Sequence, residues 1–311
     1  MKRSYLSATL VFLLVLISQV RSANISSNGT GGGNWNLTTT WSGGVVPVAG
    51  DNVNIAAGDI VNLTTNQSCT DLTVSGTLAF TTNTRTLTAS GNLIMNGTAS
   101  MTGNSSSRVF TVGGIFTVSA GATSSIEGID LTVSGATTLN GQLSFSTSTA
   151  GTKNFNGMFT IAANGNLNFT IGEVISLNAG LTMSGASSSI SGTSTGVISD
   201  ATTFDVLAGA ASDVGRCTIT VTGNSTMNGA LNFSNATGTK TFNGNVTVGG
   251  SGSITFSAAV TLAMNGSMTT NPGSVVGGGG ATGTANLAGN LTLVTGGASS
   301  LGGLNFNISG N

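Results

Sequence analysis

An apolar residue returns along the chain at steps of 21 to 23: Met95, Val118, Leu139, Ile161, Met183, Val206, Met227 and Val248. A period of this length marks a solenoid, propeller or array. A glycine series keeps the same phase: Gly91, Gly114, Gly135, Gly157, Gly180, Gly223, Gly244, Gly266, Gly289 and Gly310, with Ala201 expected in its one gap. Longer self-similarity confirms the period, because LTVSGATTLNGQLSFSTSTAGTKNFNGMFTI from Leu131 returns as ITVTGNSTMNGALNFSNATGTKTFNGNVTV from Ile219, one residue shorter.

Within each repeat, apolar and polar residues alternate at period two, as in Leu131-Thr-Val133 and Leu231-Asn-Phe233. That is the strand pattern. Glycines then mark corners, and Phe145, Phe169, Phe233 and Phe256 are expected to share one inward column. Proline is confined to Pro47 and to Pro272 in a Gly-rich turn, as strands that donate to neighbours require. A lone coil buries too little to offset the entropy of ordering its backbone, so the coils must stack. The fold expected is all-β, a parallel β-helix with coils of about 22 residues.

Composition separates this reading from disorder. The chain is rich in glycine, but 39% of it is hydrophobic and its formal charge is −1, whereas disorder needs low hydrophobicity and high net charge. Charged residues make up 5%, against about 25% in ordinary soluble domains. With no basic excess, no nucleic-acid partner is expected.

Residues 1–22 read as a secretory leader: Lys2 and Arg3, an apolar run from Ala8 to Ile17, then Val20, Arg21 and Ser22. Cleavage is expected after Ser22, with Ala23 as the alternative last leader residue. The apolar run is shorter than the about 20 residues that span a bilayer, and no later run approaches that length. No transmembrane segment is expected, and the location is extracellular or cell surface.

Residues 23–71 read as an N-terminal cap and 72–311 as the repeats. The cap holds Trp35, Trp41, Pro47, Gly50 and Asp51. The first coil of a stack exposes apolar cross-section and unpaired strand groups, which the two large rings could cover; a sugar-stacking platform is the alternative use for them. From Asn34 to Phe80 the chain resembles the eight-glycine domain and related N-terminal caps of large bacterial surface proteins. The marks are Trp41-Ser42-Gly43-Gly44, Pro47, Gly50-Asp51 leading to Val53 and Ile55, Gly58, and Leu72 to Leu78 around Gly76. The resemblance implies a right-handed parallel β-helix and a surface location. It also implies export often through the type IX pathway, and adhesion or contact with surface polysaccharide or other cell-surface components. The C-terminal sorting domain usual in such proteins is not seen. The repeats run to Asn311 with no visible cap, so truncation or end-to-end self-association is expected there.

Chemistry is sparse. Histidine is absent, which removes the commonest general base and metal ligand, and no metal or cofactor motif occurs. No enzyme activity is expected, a polysaccharide-active enzyme being the lesser alternative. Cys69 and Cys217 lie about seven coils apart, roughly 30 Å at the strand spacing, beyond disulfide reach, and read as small buried hydrophobes. The least regular coil carries Asp200, Asp205, Asp213 and Arg216, a candidate cation or sugar contact. Thr117, Thr138, Thr160, Thr182, Thr226 and Thr247 precede the apolar column and should form an outward ladder interrupted by Asp205. Such a ladder suits an ice-binding or carbohydrate-binding face, although Thr also stabilises exposed strands unaided. Asn residues at corners read as turn formers stacked by side-chain hydrogen bonds.

Overall fold

The computed structural model describes residues 22–81, 84–146, 151–296 and 300–310; the leader lies outside them except for Ser22. Each coil supplies one short strand to each of three faces, and every strand pairs in parallel with its counterpart one coil on. The first face stacks thirteen strands, from Asn24–Ser26 and Asn52–Ile55 through Leu72–Val74 to Leu291–Leu293. The second runs from Gly32–Asn34 to Ser300–Gly302, and the third from Gln67–Cys69 to Leu304–Ile308. Two longer strands, Ser100–Val112 and Thr123–Val133, carry the pairing round the corner between the second and third faces.

The period-two pattern explains the burial. On the first face, strands such as Phe116–Val118 and Leu181–Met183 are buried at both ends and half-buried in the middle. Met95, Val118, Leu139, Ile161, Met183, Val206, Met227 and Val248 are all buried inside the stack. At the corner leading to this face, backbones approach so closely that a Cβ at Gly114 would lie 2.7 Å from the Gly91 carbonyl oxygen. Asparagines stack at the same corner, beside the glycines: Asn178 Nδ2 donates to Asn156 Oδ1 at 2.7 Å, and Asn265 Nδ2 to Asn243 Oδ1 at 2.7 Å.

Two details differ from the sequence reading. The gap in the glycine series is filled by Thr202, whose carbonyl accepts the Gly223 N–H at 2.8 Å; Ala201 instead faces inward opposite Val221. The cause is Gly180, which sits one residue late in its coil: a Cβ there would meet Thr203, while Thr202 Oγ1 donates to the Ala179 carbonyl at 2.6 Å. A β-bulge precedes this corner, where the register slips between Ile198 and Ala201 and Asp200 takes φ 60°, which gives Ala201 the inward place. Nor do the four phenylalanines form one column. Phe145 stacks on Phe169 and Phe233 on Phe256, each pair with ring centroids 5.8 Å apart. Phe169, however, is opposite Gly192, while Phe233 is reached from Leu167 through Ile190 and Val214. The two pairs are therefore offset by one inward position, because Gly192 has no side chain with which to continue the first stack.

Winding begins at Asn24, and Val53 already pairs with Leu72 across the expected cap boundary. Trp35 and Trp41 are buried edge to face, 5.1 Å apart, and the Trp41 indole N–H donates to the Trp35 carbonyl at 2.6 Å. Neither ring offers a face to a sugar.

Candidate functional site

The threonine ladder forms in register. Thr117 is opposite Thr138, Thr138 opposite Thr160, and Thr160 opposite Thr182; after Asp205 come Thr226 and Thr247. The column extends past both ends of the expected set, through Ile94 to Thr73 and through Thr269 to Thr292. From Thr117 to Thr269 these side chains are the middle residues of three-residue strands with buried flanks, so each is held on a stiff, regular spacing. Asp205 does not break the stack: its Oδ1 accepts the Thr226 N–H at 2.9 Å.

A second array lies on the third face. Thr218, Thr239, Thr261 and Thr284 follow one register, beside Thr220, Thr241, Ala263 and Asn286. The Thr-x-Thr triplets at Thr218-Ile-Thr220 and Thr239-Lys-Thr241 were the available signal. They were obscured by the lysine in the second triplet, which suggests an exposed strand and is in fact buried.

The acids of the irregular coil do not come together. Asp200 sits at the bulge on the third face, Asp205 on the first face, and Asp213 on the second. Asp213 accepts from Asn232 Nδ2 at 2.8 Å and Ser234 Oγ at 2.6 Å, and Arg216 Nη1 donates to the Thr193 carbonyl at 2.9 Å. These groups brace neighbouring coils. Among the described residues, no three His, Cys, Asp or Glu side chains are grouped to hold a metal ion.

In the cap, Asp51 and Asp59 collect backbone donors. Asp59 accepts the amides of Gly29 and Gly31, each at 2.8 Å. Burial pushes its carboxyl pKa up, but the Ser27 hydroxyl and those two amides outweigh burial and hold it below its ordinary value. Asp51 accepts from Ala23 and Val48. Pro47 and Gly50 belong to the loop that brings Val48 to Asp51.

Two buried lysines were not anticipated. Lys153 and Lys240 occupy one inward column of the third face, which runs Leu131, Lys153, Ile175, Ile198, Ile219, Lys240, Leu262. Lys153 Nζ lies 3.5 Å from Glu173 Oε2. Lys240 Nζ donates to the carbonyls of Thr237 at 2.8 Å, Gly238 at 3.0 Å and Asn235 at 3.3 Å. Burial draws both lysines below their ordinary pKa and raises Glu173; the mutual attraction of Lys153 and Glu173 opposes this in part. Cys69 and Cys217 are buried, which pushes their thiols up to about 12 and about 11.

Residues 40–144 match the G8 domain. G8 domains are found in extracellular proteins. The G8 match takes in most of the stretch from Asn34 to Phe80 and continues to Ser144, so it joins the end of the cap to the first coils of all three faces. No curated protein matches the chain, and no solved structure does. No helix among the described residues is long and apolar enough to cross a membrane.

Proposed function

We propose that the chain is exported by its leader and serves outside the cell as a structural solenoid, a stalk or contact surface of adhesin type without enzymatic activity. The observation that carries this is the continuous three-faced stack, whose early coils lie in the G8-matched segment. The way the charged groups are used supports it: Asp59, Asp205, Asp213 and Arg216 each hold one coil to another. A stack of this kind resists bending because each coil is hydrogen bonded above and below. The test is fractionation of native cells followed by intact-mass measurement. Recovery from the surface or medium, without residues 1–22, supports the reading; a leader-bearing chain in the cytoplasm overturns it. Binding of the purified protein to surface polysaccharide tests the contact role, and no binding to any cell-surface material leaves the stalk alone.

The regular ladder on the first face favours one second reading, a surface that orders water or carbohydrate at the strand spacing of about 4.8 Å. Purified protein that shapes growing ice, and loses this on Thr160→Tyr and Thr182→Tyr while remaining folded, supports it. Absence of shaping by the parent protein removes the ice reading.

A further inference from the structure

The first strand opens beside a carboxylate. Asp51 is 7% exposed; its Oδ1 accepts the Ala23 N–H at 3.0 Å and its Oδ2 the Val48 N–H at 2.9 Å. The Ala23 carbonyl in turn accepts the Asn52 N–H at 2.8 Å, and from Asn24 onward the strand is paired residue by residue with Asn52–Asn54. Ala23 is thus where the fold takes hold of the chain, and its nitrogen already points at a negative charge.

The leader reading, from an independent source, places its cut at the same bond, after Val20-Arg21-Ser22. We propose that Ala23 is the mature N-terminus and that its α-ammonium forms an ion pair with Asp51, so that processing itself completes the cap. The inference rests on the export reading above. Hydrolysis of the Ser22–Ala23 bond consumes one water, leaving a carboxylate on Ser22 and an ammonium on Ala23. The amide donor already aimed at Asp51 is thereby replaced by a charged one, and charge-assisted hydrogen bonds are roughly twice as strong as neutral ones. The position is specific. A cut one residue later removes the donor, and any retained leader residue carries the charge away from Asp51.

The carboxylate at this nitrogen is Asp51; Asp71, one coil beyond Asp51, is turned to the next coil, its Oδ1 accepting the Asn92 N–H at 2.7 Å. The mature chain has no histidine, and the single tyrosine, Tyr5, leaves with the leader. An α-amine ordinarily titrates at about 7.7 to 8.0, a range in which few other groups of this chain respond. Pairing with Asp51 raises that value, so the pair is intact below the ordinary value and is lost as pH rises through the raised one.

The test uses the exported full chain, with its first residue read by mass spectrometry and its α-amine then labelled near pH 7 by an acylating reagent. The expected result is an Ala23 terminus labelled about tenfold more slowly than in Asp51→Asn, the equivalent of one pKa unit. Because Asp51→Asn also loses the Val48 contact, a chain produced with Ser22 retained supplies a second comparison, and its terminus should label at the ordinary rate. A leader still attached overturns the export reading and this inference together. A terminus elsewhere than Ala23, or an Ala23 amine that labels as fast as in both comparison proteins, overturns the ion pair while export stands.

Discussion

The stretches Leu131–Ile161 and Ile219–Val248 are near copies, yet a carboxylate meets the buried lysine of the first and has no counterpart in the second. Lys153 is 1% and Lys240 0% exposed, and both lie in the same inward column. Twenty residues further on, one coil up, the first copy has Glu173 and the second Val260, and both are buried. Their backbones are equivalent: Glu173 O accepts the Val197 N–H at 2.8 Å and Val260 O the Thr284 N–H at 2.9 Å. In the second copy the ammonium folds back beneath its own turn onto three carbonyls. The lesson is that a repeat can carry a buried charge wherever the local turn or the next coil supplies acceptors.

The sharpest break of this comparison is Glu173→Val, which makes the first copy like the second. Loss of one partner of a buried pair costs about 3 to 5 kcal/mol, and urea unfolding should show it. The double variant Lys153→Met with Glu173→Val should recover most of that. A single-variant cost below about 1 kcal/mol would mean that turn acceptors suffice in both copies. Next in size is Lys240→Met, which strips three carbonyls of their donor and should cost about 2 to 3 kcal/mol, localised by hydrogen exchange to the turn 235–239.

A Cβ at Gly196 would overlap the Phe169 ring, and one at Gly283 would lie 2.6 Å from the Phe256 ring. Gly196→Ala and Gly283→Ala should each lose about 1 to 3 kcal/mol through overpacking. Trimming the facing ring, Phe169→Leu, should relieve the first and leave the second unchanged.

Smaller still is an alkaline effect. Folding holds Cys69 and Cys217 protonated up to about 12 and about 11, above the ordinary value of 9.0. The stability this confers is complete below pH 9 and lost as pH rises through those raised values. Lys153 and Lys240, drawn down by burial, act in the opposite sense at pH below 10.5. Cys217→Ala should therefore flatten the alkaline decline in thermal scans, and adding Lys240→Met should remove the opposing slope. The smallest effect is expected on the ladder, where Thr160→Tyr and Thr182→Tyr should each change stability by no more than about 0.5 kcal/mol.

Much of this architecture was legible in the residues. Alternation at period two sorts inward from outward positions, and glycines mark corners because backbones touch there. Hence the inward column from Met95 to Val248 and the outward ladder from Thr117 to Thr247 could be read off directly. Where a coil departs from the repeat, counting fails. Gly180 sits one residue late in its coil, so a count from it reaches Ala201 where the corner is Thr202, and Gly192 shifts one phenylalanine pair out of line with the other.

Period, strands, stack and ladder follow from residue spacing alone, because stacking copies that spacing from coil to coil. Three further facts emerge in the folded chain: Asp200, Asp205 and Asp213 lie on three different faces, Thr239 and Thr241 flank a buried lysine, and Ala23 meets Asp51. Those facts depend on where a bulge falls, how far a long side chain reaches and which loop folds back, none of which a periodic pattern records.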